Sequence, residues 1–463
     1  MKARMQDGVV YSPFPSADIP SCSAYTVIEE ALSRNPERVA FIQGSIKTTR
    51  AELLALMKCY AVGFQQQGIG PGDRVCAHLK NSLENLAAMY GCIFAGATLV
   101  LAKTSLTERE LRGQIVDSDS THVLTDVELA EKVTKAILYL DLKGLLAMGP
   151  VSGFTDAASF KYLDQSFFRE CPVGDPREAV FVVVYTSGTT GLPKGVELTH
   201  HSFVANFCIS KPCMSSDETD TMLASAPIGH LSGLVLGLMA VLDGSVCVLA
   251  QPGLSLQEIT ELADEHNITS MFSFPTRLQT LAEEMLRDGK ADQEAFVASA
   301  WPVVYFHKHG QLAMGPVSGF VDAASFKHLD QSAFRECPVG DPREAVFVVV
   351  YTSGTMGLPK GVELTHHSFV ANFCISKHLT ETIGNSYKAT KMAIGYFLVE
   401  VKSETPYEKF TDLVVDPVSR VKLGPNEPGE ICFRIPTVMR GYYKRPKETA
   451  EFFEGNGWCR SGD

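Results

Sequence analysis

Residues 179–195 read Ala-Val-Phe-Val-Val-Val-Tyr-Thr-Ser-Gly-Thr-Thr-Gly-Leu-Pro-Lys-Gly. Residues 179–184 form an unbroken apolar run rich in β-branched side chains, which predicts a strand buried on both faces of a sheet. Residues 185–195 cannot continue that strand, because their glycines favour backbone with positive φ and their hydroxyl groups surround a potential nest of N–H donors. Lys194 adds a positive charge, so this loop has the chemistry to hold a polyphosphate.

The spacing of this loop differs from that of the Walker A motif. Gly188 and Gly191 are too close together, and Lys194 is followed by Gly195 rather than by Ser or Thr. Loops rich in Gly, Ser, Thr and Pro after a strand are more often plain turns. Composition and spacing alone therefore leave both readings open.

Outside this loop, strand and helix patterns alternate along the chain. Thr49 with Glu52 and Thr107 with Glu110 have the spacing of capping boxes, and Asn81 is predicted to cap a helix that runs to about residue 95. The alternation predicts an α/β fold of doubly wound, largely parallel sheets. Frequent Pro and Gly between short apolar runs predict a small β-rich subdomain over about residues 396–463.

Bulk composition narrows the function classes. The chain of 463 residues has room for two or three packed units, and its net charge of −12 argues against a nucleic-acid or anionic-membrane surface. Twelve cysteines are scattered through apolar segments without a C-x-x-C pair, which is typical of reduced thiols in an intracellular protein. We expect no signal peptide and no transmembrane segment, and a cytoplasmic or peroxisomal location.

The loop and its continuation, Val-Glu-Leu-Thr-His at 196–200, resemble the phosphate-loop signature of the adenylate-forming (AMP-binding) superfamily. This superfamily includes acyl-CoA synthetases, 4-coumarate-CoA ligases, luciferases and the adenylation domains of peptide synthetases. The resemblance implies that the loop wraps the β- and γ-phosphates of ATP while a carboxylate attacks the α-phosphorus. The positions that match are Thr186, Ser187, Gly188, Thr189, Thr190, Gly191 and Lys194.

Three further segments resemble the same superfamily. The loop at 226–233 is similar to the segment that lines the acyl pocket, which implies pocket roles for His230 and Gly233. On spacing alone, His230 is a lone loop histidine with a structural role. Glu381 matches the magnesium-binding carboxylate, and Asp463 matches the aspartate that binds both ribose hydroxyls. The resemblance therefore implies ATP, Mg²⁺ and CoA as cofactors, with Lys194 and Glu381 catalytic.

Residues 144–211 recur at 310–377 with a constant offset of 166 and five differences, one of which is Thr190 against Met356. The near-identity extends to positions that packing does not constrain, which favours a recent duplication or an error in gene assembly over a solenoid repeat. We expect the copied strand at 345–350 to displace a native strand or to add an edge. The copied loop is not expected to bind ATP, because Met356 offers phosphate no hydrogen bond.

The sequence departs from the superfamily at two places. The copied segment stands where the superfamily has its adenine-binding segment, of which only Leu-Thr-Glu-Thr at 379–382 remains. The sequence ends at Asp463, so the resemblance covers the large domain at 22–463, and we expect the C-terminal lid domain with its catalytic lysine to be absent. We expect low activity for both reasons.

The leading hypothesis is an acid–thiol ligase of fatty acid or aryl acid metabolism. It would activate a fatty or aryl carboxylic acid with ATP and transfer the acyl group to CoA, with no nucleic-acid partner. The alternative is a catalytically inactive nucleotide-binding paralogue or a mis-assembled fragment of such a ligase. A third reading, an unrelated phosphate-binding module, leaves the matches at His230 and in the tail unexplained.

Overall fold

The computed structural model describes residues 17–186, 193–214, 218–273, 411–423, 429–454 and 457–460, and the backbone of six further short strand segments. The strands are β1 (Arg4–Gln6), β2 (Val9–Tyr11), β3 (Val39–Gln43), β4 (Ile46–Thr49), β5 (Arg74–His78), β6 (Thr98–Leu101), β7 (His122–Thr125), β8 (Gly144–Ala147), β9 (Thr155–Asp156), β10 (Val180–Thr186), β11 (Lys194–Thr199), β12 (Thr221–Ala224), β13 (Val246–Leu249), β14 (Ser270–Met271), β15 (Leu312–Ala313), β16 (Val321–Asp322), β17 (Val346–Thr352), β18 (Lys360–Thr365), β19 (Thr411–Val415), β20 (Glu430–Arg434), β21 (Gly441–Tyr442) and β22 (Cys459–Arg460). The α-helices are α1 (Ala24–Ser33), α2 (Arg50–Gln66), α3 (Leu83–Phe94), α4 (Glu108–Asp117), α5 (Ala130–Ala136), α6 (His200–Met214), α7 (Leu231–Asp243), α8 (Leu256–His266) and α9 (Pro446–Phe452).

The largest sheet has eight strands in the order β21-β11-β10-β6-β5-β7-β8-β9. Strands β10, β6, β5, β7, β8 and β9 run parallel, while β11 and β21 are antiparallel to their neighbours. Val75 and Ala77 face the side of α2 and α3, whereas Cys76 packs with α4 and α5 on the other side. Helices therefore cover both faces, which confirms the predicted doubly wound α/β class.

The quoted apolar run forms β10 in the interior of this sheet. Phe181, Val182, Val183 and Val184 are all buried, as expected for a strand covered on both faces. Because β10 is parallel to β6, with Val184 beside Leu101, the loops that follow these two strands leave the same edge of the sheet. Ligands of open α/β sheets bind at this edge, beyond the carboxyl ends of the strands.

A second sheet, of order β14-β12-β13-β3-β4, is parallel except for its edge strand β4. Helix α7 packs on one face and α8 on the other. The residues that connect β12 to α7, 225–230, leave its carboxyl edge and reach the large sheet.

The third sheet is antiparallel, with order β1-β2-β19-β20-β22, and contains strands from the β-rich tail. Its two N-terminal strands were not predicted, since three-residue strands leave too short a pattern to recognise. Strand β21, although it lies in the tail, instead pairs with β11 of the large sheet. The tail therefore contacts the hairpin β10–β11 directly.

The two predicted capping boxes, Thr49 with Glu52 and Thr107 with Glu110, are confirmed. The prediction that Asn81 caps α3 is wrong. The cap is Ser82, whose hydroxyl accepts a hydrogen bond from the Asn85 N–H at 3.0 Å. Asn81 has a suitable side chain for a cap, but its amide is bound to other parts of the chain.

The described strands of the copied segment repeat the local pairings of the original. β17 pairs with β18 in the register of β10 with β11, including the same irregularity, and β15 pairs with β16 as β8 does with β9. Each pair is a separate two-stranded sheet. The expectation that the copied strand displaces a native strand or adds an edge to a larger sheet is therefore wrong for the described strands. Strand β6, which occurs once, already pairs with β10.

Candidate functional site

The hairpin β10–β11 presents both ends of the predicted phosphate loop at the carboxyl edge of the large sheet. Thr186 and Lys194 form the last cross-strand pair of this hairpin. Thr186 is exposed and Lys194 is half-buried. Five further predicted loop residues, Ser187, Gly188, Thr189, Thr190 and Gly191, lie outside the described residues.

The tail holds this end of the hairpin in place through residues 440–445, which we call the brace. The brace adds β21 to the outer side of β11, and the Tyr443 N–H donates to the Gly195 carbonyl at 2.7 Å. The ring centre of Tyr442 lies 5.2 Å from the Lys194 ammonium group, within the range of a cation–π contact. The Tyr185 hydroxyl donates to Asp117 at 2.9 Å, and Asp117 also pairs with Arg445 of the brace at 2.7 Å.

A buried carboxylate, Glu197, joins the brace to the sheet. Glu197 is 4% exposed and pairs at 2.8 Å both with Arg74 of β5 and with Arg440 of the brace. The Arg74 guanidinium stacks on the Tyr443 ring at 3.7 Å, and the Tyr443 hydroxyl donates to Asp119 at 2.7 Å. A buried charge with two hydrogen-bonded partners fixes geometry more firmly than a surface pair does.

His230 is the N-cap of α7. Its Nδ1 accepts a hydrogen bond from the Ser232 N–H at 3.3 Å and lies 2.8 Å from the Ser232 hydroxyl. Burial, together with the positive charge of Lys103, lowers the pKa of His230 to about 4. The imidazole is therefore neutral near pH 7, and because Nδ1 accepts, the proton lies on Nε2.

Two glycines allow the loop that carries His230 to approach its neighbours closely. A side chain at Gly233 would collide with the carbonyl groups of Pro227 and Ala226, so this glycine is required by backbone packing in the first turn of α7. A Cβ at Gly229 would lie 2.7 Å from the Ala102 carbonyl oxygen. The pocket role predicted for Gly233 stays a prediction.

The described ends of the phosphate loop and the loop that carries His230 lie at neighbouring strand ends of the large sheet. Gly229 contacts Ala102 and Lys103, which follow β6, and β6 is the parallel neighbour of β10. The sequence-predicted residues Thr186, Lys194 and His230 thus lie along one edge of the large sheet although they come from two different sheets. In open α/β sheets, ligands bind at this edge, beyond the carboxyl ends of the strands.

Asn81 belongs to this region, and its role was missed. It lies three residues beyond β5, is 3% exposed, and makes hydrogen bonds to Ala226, Ile228 and Ala250. Sequence analysis assigned it to the helix because Asn is a common cap. No local pattern distinguishes a cap from a side chain that binds a distant loop.

Glu381 and Asp463, predicted to bind Mg²⁺ and ribose, lie outside the described residues. Within the described part of the chain, no group of three or more His, Cys, Asp or Glu side chains is arranged to hold a metal ion. In that same part, no helix combines the length and the apolarity needed to cross a membrane.

The sequence profile described as AMP-binding enzyme matches residues 28–335 and 307–394, which is most of the chain. The chain belongs to the AMP-binding enzyme family. The two matches of this family overlap over residues 307–335, and the second includes the copied segment.

Several curated proteins with similar sequences are CoA ligases. 4-coumarate–CoA ligase 3 of Oryza sativa subsp. japonica is 23% identical over 455 residues, covering 96% of this chain and 73% of the relative. A long-chain-fatty-acid–CoA ligase of Bacillus subtilis (strain 168) is 24% identical over 485 residues, covering 96% and 74%. In structure, a long-chain-fatty-acid-CoA ligase from Archaeoglobus fulgidus matches with a TM-score of 0.69 at 19% identity, covering 98% of this chain and 83% of that one. The last similarity concerns the fold.

Proposed function

We propose that this chain activates a carboxylic acid with ATP and passes the acyl group to CoA. The observation that carries the proposal is that the ends of the phosphate loop and the loop of His230 lie at neighbouring strand ends. Lys194 closes the phosphate loop after β10, and the loop of His230 rests against Ala102 and Lys103 after β6. A site for adenylation needs a polyphosphate and a carboxylate held side by side, and this edge offers one loop suited to each.

In the first step, a carboxylate oxygen of the acid bonds to the α-phosphorus of ATP. The bond from that phosphorus to the bridging oxygen breaks, and pyrophosphate leaves with the electron pair. Lys194 is placed to neutralise the charge that develops on the pyrophosphate. In the second step, the thiolate of CoA attacks the acyl carbon and displaces AMP.

His230 contributes a neutral imidazole with a fixed tautomer. A neutral ring beside the acid avoids an ion pair that would hold the carboxylate in its ground state. Mg²⁺, when bound, would offset the negative charge of the phosphates. Glu381 is the residue we assign to Mg²⁺, and Asp463 is the residue we assign to the ribose, both on the strength of the family motifs.

The class of acid follows from the relatives alone. Their names include 4-coumarate, 2-succinylbenzoate and long-chain fatty acids. 4-Coumarate and the long-chain fatty acids each have an extended apolar body with one carboxylate, and 2-succinylbenzoate has an aromatic ring with two carboxylates. We therefore propose a fatty or aryl acid as the substrate.

We further propose that turnover is impaired in this chain. The copied segment occupies the sequence position where the family has its adenine-binding segment, so adenine would lose contacts. The copied strands β17 and β18 pair with each other as β10 and β11 do, but they form a separate sheet, and β10 and β11 already lie in the large sheet. This supports a duplication of the segment. This feature favours, as the second candidate, a nucleotide-binding paralogue or a mis-assembled fragment that does not turn over.

Acid-dependent exchange of labelled pyrophosphate into ATP tests the proposal. Medium-chain and long-chain fatty acids and hydroxycinnamic acids should be assayed with and without CoA, using Lys194→Ala as the negative variant. Slow exchange that requires an acid and disappears in Lys194→Ala supports adenylation. ATP binding without exchange for any acid supports the nucleotide-binding paralogue instead.

A further inference from the structure

Asn81 connects the two parallel sheets through its side-chain amide. Nδ2 donates to the carbonyl oxygens of Ala226 and Ala250, each at 2.9 Å, and Oδ1 accepts from the Ile228 N–H at 2.9 Å. Ala226 and Ile228 lie in the loop after β12, and Ala250 follows β13. The side chain of Asn81, which follows β5 of the large sheet, therefore satisfies three backbone groups at the carboxyl edge of the second sheet.

The loop that Asn81 holds is the one that carries His230. Ile228 is fully buried, and two residues later His230 caps the N-terminus of α7. The His230 N–H donates to the Pro227 carbonyl at 3.0 Å, so the short turn from 227 to 230 transmits the position of Ile228 to the imidazole. A shift of the backbone at 226–228 must move His230 with it.

Asn81 is itself fixed from several sides. Gln251 donates to the Asn81 carbonyl at 2.5 Å, and the neighbouring Lys80 N–H donates to Asp126 at 2.6 Å. Asn85 donates to Asp126 at 2.8 Å and to the Lys80 carbonyl at 2.9 Å. Asn81 is therefore held at the edge of the large sheet, and the position of the His230 loop depends on Asn81.

We propose that Asn81 is a positioning residue that holds the His230 loop at the carboxyl edge of the large sheet, and so sets the affinity for the carboxylic acid. This proposal rests on the proposed function for its substrate, but the structural step does not. Without the amide, the buried Ile228 N–H and the part-buried carbonyls of Ala226 and Ala250 lose this partner, and poorly satisfied groups favour a rearranged loop. The described ends of the phosphate loop belong to β10 and β11. The described hydrogen bonds of the Asn81 side chain go to neither of these strands.

Hydrogen–deuterium exchange of the whole chain tests the structural step without any need for activity. In Asn81→Ala, peptides covering residues 224–234 should exchange at least about tenfold faster, while peptides from β5, β6 and α4 keep their protection. Ser118→Ala is the control, because Ser118 is a fully buried polar residue whose hydroxyl bonds with Ile115 and Ser120 and not with the loop or with Asn81. If 224–234 is unaffected, or exchange rises evenly along the chain, the positioning role is wrong.

A second variant, Asn81→Asp, tests the same role if Asn81→Ala does not fold. Asn81→Asp keeps the shape and the acceptor for the Ile228 N–H but loses both donors, so it should loosen the same peptides. In an acid-dependent exchange assay, both variants should raise KM for the acid about tenfold and leave KM for ATP within about twofold. Equal changes in both KM values would overturn the positioning role. If wild type shows no acid-dependent activity, the proposed function fails while the hydrogen-exchange result still decides the role of Asn81.

Discussion

The Lys194 ammonium group lies over the ring of Tyr442, 5.2 Å from its centre. Lys194 ends the phosphate loop, and Tyr442 belongs to the brace at 440–445, which comes from the far end of the chain. The contact restricts the lysine side chain before any ligand arrives. Pre-organisation of this kind lowers the cost of ordering a long side chain when phosphate binds.

We expect replacement of Tyr442 by leucine to weaken binding of a non-hydrolysable ATP analogue about threefold, because a cation–π contact at a partly exposed site is worth about 0.5–1 kcal/mol. Tyr442→Phe keeps the ring and should stay within about twofold of wild type. Titration calorimetry on the three proteins measures this. Equal loss in both variants would show that the hydroxyl, and not the ring, matters.

Glu197 predicts a large effect on stability. Glu197→Gln removes the negative charge between Arg74 and Arg440 and should lower the free energy of unfolding by about 3 kcal/mol, since it leaves the Arg74 guanidinium, which is only 15% exposed, without its carboxylate partner. The exposed pair Arg34–Glu30 provides the control, and Glu30→Gln should cost less than about 1 kcal/mol. Urea unfolding followed by circular dichroism compares them. Similar losses in the two variants would contradict a structural role for the Glu197 pair.

His78 predicts part of the pH dependence of stability. Burial lowers the pKa of His78 to about 4, against an ordinary value of about 6.5. Between these values the unfolded chain binds the proton more readily, so stability falls as pH drops from 6.5 to 4, by on the order of 3 kcal/mol for this group. Above pH 6.5, His78 makes no contribution to the pH dependence of stability.

The variant His78→Leu isolates this contribution. Its unfolding free energy should fall less steeply than that of wild type between pH 6.5 and 4, with the two curves parallel between pH 7 and 8. The measurement is chemical unfolding at half-unit pH steps. Parallel curves over the whole range would mean that His78 is not protonated on unfolding.

The sequence was most informative where structure is set by neighbours along the chain. The capping boxes at Thr49 and Thr107 and the buried strand from Val180 depend on short patterns, and all of them were predicted. The same reason explains the copied hairpin, whose register repeats that of β10 and β11 because local sequence specifies it.

Contacts between distant segments could not be predicted. Asn81 and Ala226 are 145 residues apart, and Arg440 and Glu197 are 243 residues apart. A buried asparagine and a surface arginine have the same local patterns whether or not such partners exist. For this reason sequence motifs identified Lys194 and His230 but not the residues that hold them in place.

The most direct test is calorimetric titration of the whole chain with a non-hydrolysable ATP analogue, comparing Lys194→Ala with its counterpart in the copy, Lys360→Ala. We expect one site, weakened by about 1–3 kcal/mol in Lys194→Ala, as for a lost charge-assisted hydrogen bond, and unchanged in Lys360→Ala. Circular dichroism confirms that each variant is folded. A stoichiometry of two, or unchanged affinity in a folded Lys194→Ala variant, would contradict assignment of the nucleotide to the first loop.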